Sequence, residues 1–227
     1  MENVRKVVET NNIKQQKILT EESKFYTFAK RSMDLTISVV SFIFLMPLLI
    51  LISLLYLLEK KKGNVIFKQR RVGKNGEFFN IYKFRSMAVD AESRLTQDKK
   101  LYQKYIDNNY KLEPDEDPRI TKLGSFLRKT SLDELPQLIN VIKGDMSLVG
   151  PRPVVEQELV EYEDKVRQFL SVKPGVTGYW QISGRSNIKY PERVGVELHY
   201  VHNRSLSFDI EILFKTFISV LFRKGAY

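Results

Sequence analysis

Asp133 and Glu134 stand side by side within DPRITKLGSFLRKTSLDELPQLINVIKGDMSLVGPRP, residues 117–153. Pro136 follows closely. Proline fits the first turn of a helix but not its interior. A helix through Gln137, Leu138 and Val141 is therefore predicted to begin around Leu132 to Leu135. Both carboxylates then lie at its N-terminus, where free N–H groups and the helix dipole favour negative charge by roughly 0.3–1 kcal/mol. One reading is capping, since Ser131, Asp133 and Glu134 are all good first-turn residues. The other is chemical. Arg128 and Lys129 lie just upstream, Gly144 and Asp145 form a further turn, and Arg152 sits in a rigid Gly150-Pro151-Arg152-Pro153 turn. Carboxylates among fixed cations can hold a divalent metal and a diphosphate together. Neighbouring helical residues diverge by about 100°, so one could attack phosphorus while the other orients a metal or moves a proton.

More cations surround a second stretch. Residues 59–85 carry nine Lys or Arg against two Glu. Most of these suit anionic headgroups, at about 1 kcal/mol each near a membrane surface. Lys83 and Arg85 alternate with aromatics in Tyr82-Lys83-Phe84-Arg85. On a strand they share one face and could point into a phosphate site instead. Trp180, the one tryptophan, lies in a loop punctuated by Pro and Gly that continues to Arg185. That loop reads either as a packed plug or as an interface element, with Arg185 on a phosphate. His199 and His202 are three apart without a third ligand, which favours solvent or core over metal.

Several chemistries are excluded. The chain has no cysteine, so thiol nucleophiles, disulfides and zinc–thiolate sites are absent. There is no Gly-x-x-x-x-Gly-Lys-Ser/Thr loop and no Gly-x-Ser-x-Gly elbow. Gly73-x-x-Gly76 is too short for a dinucleotide fingerprint and suits a turn.

The positioning elements are legible in outline. With 227 residues and a net charge of +10, the chain has room for a sizeable core and fits an anionic partner. Residues 35–58 hold no charge. As a helix they extend roughly 36 Å, against a hydrocarbon core of about 30 Å. Lys30 and Arg31 precede them and Lys60 to Lys62 follow, so both ends favour the cytoplasmic side. Pro47 divides the segment into halves each too short to span. A re-entrant helix–break–helix and a kinked spanning helix both fit. Asp34 adjoins the basic flank; it either pairs with one of those cations or fixes the returning chain.

Beyond the segment, Val65-Ile66-Phe67 and Phe78 to Tyr82 flank a Gly73-Lys74-Asn75-Gly76 turn, a β-hairpin pattern. Residues 86–117 are predicted helical at first and broken by Asp115-Glu116-Asp117-Pro118. Residues 206–222 place Ile210, Leu213, Phe214, Phe217 and Leu221 on one stripe. A helix lying in the membrane interface and a core helix both suit it. The fold class is α+β and mostly helical: a membrane helix–break–helix, a small β-hairpin, and amphipathic interfacial helices around a site. The domains expected are an N-terminal extension (1–29), a membrane segment (30–62) and a catalytic domain (63–227).

Taken together, these motifs resemble the bacterial sugar transferase family, the small monotopic phosphoglycosyl transferases that act on polyprenyl phosphate. The likeness runs from Lys30 to the C-terminus. It rests on Lys-Arg-x-x-Asp at 30–34, Tyr-Lys-Phe-Arg-Ser-Met at 82–87, Asp-Pro-Arg-Ile-Thr at 117–121, Ser-Leu-Asp-Glu-Leu-Pro-Gln at 131–137, the run from Gly144 to Pro153, and Lys173-Pro174-Gly175. The resemblance implies transfer of a sugar 1-phosphate from a UDP-sugar to undecaprenyl phosphate, releasing UMP, as the initiating step of exopolysaccharide, capsule or related synthesis. It places the nucleophile on Asp133, with a covalent phosphosugar intermediate, Mg²⁺ nearby and Glu134 as partner. It assigns phosphates to Lys83, Arg128 and Arg152. It favours the re-entrant anchor, with Lys30, Arg31, Asp34 and Pro47 as its marks and the catalytic domain on the cytoplasmic face of a bacterial membrane. A position often Asp in the family is Glu197 here, a second metal-ligand candidate beside Asp133. The implied partners are a UDP-sugar, a polyprenyl phosphate and cytoplasmic-membrane lipids, with no nucleic acid; a homo-oligomer is compatible with this set. A membrane-tethered basic binding module and a non-catalytic scaffold of an envelope-polymer complex are the competing readings of the charge.

Overall fold

The computed structural model describes residues 23–58, 63–107, 112, 116–184 and 187–222. The expectations for most of the N-terminal extension, for Lys60 to Lys62, for Asp115 and for Arg185 lie outside the described residues. The fold is mostly helical with small two-stranded sheets, as the α+β class requires. Two compact units form. Among the described residues, one draws on 23–44, 68–81 and those of 137–222, and the other on those of 45–67 and 82–136.

The apolar segment forms helix α1, Lys24–Leu55, continued by a 3-10 turn at Tyr56–Leu58. Pro47 lies inside it. Two helices around a break were expected; the observed secondary structure is unbroken. Proline removes one hydrogen bond, a loss that apolar helices tolerate where neighbouring groups compensate. Among the described residues α1 is the one helix long and apolar enough to cross a membrane. The two halves belong to different units, with the change just before Pro47.

The hairpin consists of β1, Ile66–Val72, and β2, Phe78–Phe84. Asn75 (φ 57) and Gly76 (φ 82) adopt left-handed backbone between them, the conformation that an Asn-Gly turn supplies at low cost. Helices α2 (Ala91–Gln97) and α3 (Lys99–Asp107) follow.

In the first unit, β3 (Ser147–Val149) pairs in parallel with β4 (Gly175–Thr177). Tyr162, Val166, Phe169, Val172, Val194 and Leu198 form much of its core. Short helices α6 (Val166–Phe169) and α7 (Tyr179–Ser183) lead to α8 (Glu192–Asn203) and α9 (Leu206–Leu221). Ile210, Phe214 and Phe217 of the expected α9 stripe are exposed, and Asp209 and Ile212 are the buried residues. The stripe therefore does not serve the core. In the second unit, Ile52, Tyr56, Phe84 and Leu127 are buried together, which ties the end of α1 to β2 and to α4 (Lys122–Lys129).

Asp34 does not pair with the neighbouring cations. It is buried and accepts bonds from Ser147 Oγ (2.7 Å) and the Leu148 N–H (3.1 Å). Lys30 instead meets Asp209 at 2.9 Å. Arg31 donates to the carbonyls of Val141 (2.6 Å) and Ile142 (2.9 Å), at the C-terminal end of α5 (Gln137–Lys143), where a cation offsets the helix dipole.

Candidate active site

The site in the second unit is assembled by a strand end and two turns. Thr121 caps α4 by accepting from the Gly124 N–H at 2.9 Å. A Cβ on Gly124 would lie 1.9 Å from the Ser86 carbonyl oxygen. Only glycine lets α4 approach the end of β2 this closely. That approach places Arg128, near the other end of α4, so that its Nε donates to Ser86 Oγ at 2.8 Å.

After α4 the chain turns at Ser131, a non-glycine residue in the left-handed region (φ 56). A 3-10 turn, Leu132–Glu134, follows. The carboxylates were expected in the first turn of the helix through Gln137. That helix, α5, begins at Gln137, and Asp133 and Glu134 stand on the separate 3-10 turn before it. Pro136 separates the two elements. The Ser131 side chain makes no capping bond, so the capping reading loses its first member.

Asp133 is 9% exposed. Burial, and then the neighbouring Glu134 charge, push its carboxyl up to about 6; Lys83 and Arg128 pull the other way. Lys83 Nζ donates to Glu134 Oε1 at 2.6 Å, and Glu134 is the more open of the two acids. Arg128 lies in the field of Asp133 and Asp117, and burial lowers its own value from the guanidinium range. Four expected residues thus come together: Lys83, Arg128, Asp133 and Glu134. The arrangement offers one buried carboxylate ionised at neutral pH, one carboxylate held by an ammonium, and a desolvated guanidinium. Such a set suits attack on phosphorus with cations placed for its oxygens.

The other expected residues have these partners within their own units. Arg85 lies 5.5 Å over the Tyr56 ring, whose hydroxyl donates to the Arg85 carbonyl. Glycine at position 63 makes room for that guanidinium, because a Cβ there would fall 1.7 Å from Arg85 Nη1. Arg85 thus fastens the end of α1. Arg152 and Glu197 belong to the first unit. The Arg152 N–H donates to both Glu197 oxygens (3.3 and 3.2 Å), and Arg193 Nε lies 3.4 Å from Oε1. Those donors tie the Glu197 carboxylate to the Arg152 turn. The Arg152 guanidinium faces the Trp180 ring at 5.7 Å.

Sequence reasoning assigned no role to Asp117 and Arg119. Asp117 is buried and takes three bonds from Arg119: from the backbone N–H (3.0 Å), Nε (2.8 Å) and Nη2 (2.8 Å). The Arg119 carbonyl accepts from the Ala88 N–H, and Thr121 N–H donates to Ser86. This corner braces the residues beside Arg128. The signal was the Asp-Pro-Arg spacing, which permits a fork-to-carboxylate pair two residues apart.

Comparison with known proteins shows the family. Residues 25–223 match the family model described as bacterial sugar transferase. An undecaprenyl-phosphate galactose phosphotransferase of Salmonella typhimurium is 47% identical over 203 residues, 88% of this chain and 42% of that protein. The exopolysaccharide production protein ExoY of Sinorhizobium fredii is 43% identical, with 88% of each chain covered. A UDP-glucose:undecaprenyl-phosphate glucose-1-phosphate transferase of Escherichia coli is 38% identical, over 87% of this chain and 41% of that protein. The chain thus spans less than half the length of the Salmonella and E. coli relatives and most of the length of the Sinorhizobium one. By its near end-to-end match, the chain belongs to the bacterial sugar transferase family.

Proposed function

We propose that the chain transfers a sugar 1-phosphate from a UDP-sugar to a polyprenyl phosphate such as undecaprenyl phosphate, releasing UMP. The observation that carries this reading is the buried Asp133 carboxylate beside the Lys83–Glu134 pair and Arg128. The names of the relatives support the same substrates. An Asp133 carboxylate oxygen attacks the phosphorus that bears the sugar. The bond from that phosphorus to the bridging oxygen breaks, and UMP leaves with the bridging oxygen. An oxygen of the lipid phosphate then attacks the same phosphorus and displaces Asp133. Lys83 and Arg128 offset the negative charge that would otherwise keep a carboxylate away from a diphosphate.

Mg²⁺ is part of the proposal. Among the described residues no three acidic or histidine side chains gather as a metal cage. The donor set still fits, because Mg²⁺ is commonly held by one or two carboxylates completed by substrate phosphates. Asp133 and Glu134 would hold it, and it would neutralise phosphate charge when bound.

The reading includes a re-entrant anchor on the cytoplasmic face, with residues 30–62 as the membrane segment and 63–227 as the catalytic domain. Support comes from both ends of α1. Near its start, Lys30, Arg31 and Asp34 bond to Asp209, Val141, Ile142 and Ser147. Near its end, Ile52 and Tyr56 are buried with Phe84 and Leu127. Lys30 and Arg31 before the uncharged run and Lys60 to Lys62 after it favour both ends on the cytoplasmic side. The exposed Phe214 and Phe217 of α9 fit a helix lying at the same surface.

The test is UMP release by purified protein supplied with Mg²⁺, undecaprenyl phosphate and a panel of UDP-sugars. Asp133→Asn should abolish it for every sugar. Full activity in that variant would remove the nucleophile assignment. For topology, the cysteine-free chain accepts single cysteines at Phe28 and Lys62. Both should stay shielded from an external impermeant reagent in intact cells; labelling of only one would mean a spanning helix.

A further inference from the structure

The first unit contains a small open cleft that holds none of the four clustered site residues. Lys30, Arg31, Lys74, Lys173 and Arg204 line it, with one carboxylate, Asp34. Most of these charges are already engaged. Lys30 is paired with Asp209, which also accepts from Tyr26 (3.2 Å) and Tyr200 (2.7 Å). Arg31 is held by two carbonyls of α5. Asp34 faces Ser147 and Leu148.

Lys173 differs. No hydrogen bond or ion pair holds its ammonium among the described residues, although the residue is half-buried. It converges with Arg31: Lys173 Nζ and Arg31 Nη2 each lie 3.6 Å from where a Cβ would stand on Gly144. Burial, and then the like charges of Arg31 and Lys74, push Lys173 below the usual lysine range. The acids in its field are Asp34 and Asp145. Asp34 is committed as described, and Asp145 meets Lys143 at 3.5 Å and Asn140 Nδ2 at 3.2 Å. Two like charges are drawn together in a half-buried cleft, neither is in an ion pair among the described residues, and the cations of the lining outnumber its one carboxylate.

The position of the cleft indicates where that anion comes from. Lys30 and Arg31 lie on α1 one turn before the uncharged run 35–58. On the same turns Phe25 (75%) and Phe28 (73%) are exposed, as aromatic residues are at a bilayer interface. Resting on the membrane reading above, we propose that this cleft binds the phosphate of an anionic phospholipid headgroup, with Lys173 and Arg31 as its cationic jaws. A zwitterionic headgroup would bring its own cation against Lys74 and Arg204 and bind less well.

Thermal unfolding of the full chain in dodecyl maltoside tests this, with dioctanoyl phosphatidylglycerol, dioctanoyl phosphatidylcholine or inorganic phosphate added. Phosphatidylglycerol should raise Tm by about 2 °C or more, and phosphatidylcholine by less. Lys173→Gln should lose the difference, while Lys215→Gln, the same charge change on exposed α9, should keep it. An equal rise with inorganic phosphate would overturn the lipid source in favour of free phosphate. An undiminished phosphatidylglycerol effect in Lys173→Gln, or none in any chain, would overturn the site. Flotation with phosphatidylcholine vesicles is read separately: a wild-type chain that does not float would defeat the membrane reading itself, whatever Lys173 does.

Discussion

Lys83 Nζ and Glu134 Oε1 lie 2.6 Å apart, and this contact divides the labour of two adjacent carboxylates. Glu134 is satisfied by an ammonium and partly open to solvent. Asp133, one residue earlier, is buried, and its anion is favoured by the charges of Lys83 and Arg128 and by a backbone hydrogen bond. The environments of the two acids are pushed apart, which is how neighbouring carboxylates acquire different tasks.

The pH profile should expose that division. Attack requires ionised Asp133, so single-turnover UMP release should rise with pH through about 6. Lys83 holds the Asp133 value down and Glu134 holds it up. Lys83→Met should therefore lower the rate and move the rise to higher pH. Glu134→Gln should also lower the rate but move the residual rise to lower pH. Shifts of the same sign in both variants would contradict the arrangement.

The site was unevenly legible in the sequence. Local spacing carried the hairpin, the uncharged helix and the carboxylate pair, because each is written in consecutive residues. The 3-10 turn that carries Asp133 was missed, since the start of α5 depends on the left-handed backbone at Ser131, a conformation that serine seldom adopts alone. Partner choice was equally hidden. Asp34 bonds to Ser147, Lys30 to Asp209, and Arg85 packs on Tyr56. Such long-range pairings follow from chain packing, and charge counting along the sequence cannot choose among them. The exposed side of α9 was visible as a stripe, but that it turns away from the core follows from Asp209 and Ile212 lying on the buried face.

Two glycines should respond oppositely to one added methyl group. A Cβ at position 124 meets the Ser86 backbone at 1.9 Å, and neither side can yield as a flexible side chain would. Gly124→Ala should destabilise by about 1–3 kcal/mol or more and lower activity by displacing Arg128 from Ser86. Gly195, within α8, has nothing within 4 Å of its Cβ position. Gly195→Ala should stabilise by roughly 0.5–1 kcal/mol. Melting temperatures of both variants in detergent decide the matter; a harmless Gly124→Ala would mean that α4 approaches β2 less closely.

Asp34 should behave as a buried acceptor with two donors. Asp34→Asn brings an amide toward the Ser147 hydroxyl and the Leu148 N–H, and should cost about 1–3 kcal/mol. Ser147→Ala alone should cost less, and the double variant should lose less than the two separate losses combined. Additive losses in thermal melts would show that the contact is not energetically real.

Glu197 sets a test of stability against pH. It is 1% exposed, and burial lifts its carboxyl to about 7 although Arg193 and the Arg152 N–H favour the anion. The unfolded chain releases this proton near the ordinary value of 4.5. Between those values the folded state binds more protons than the unfolded state, so stability must fall as pH rises. The loss is of the order of 3 kcal/mol once pH passes about 7. Trp180, the one tryptophan, lies 4.5 Å from the Arg193 guanidinium and reports unfolding at that position by fluorescence. Wild-type Tm should drop from pH 5 to pH 8 more steeply than that of Glu197→Gln, which is neutral throughout. The comparison cancels what other groups, Asp133 included, contribute to both proteins. Parallel slopes would mean that Glu197 is ionised in the folded state across the whole range, held by Arg193 and the Arg152 turn.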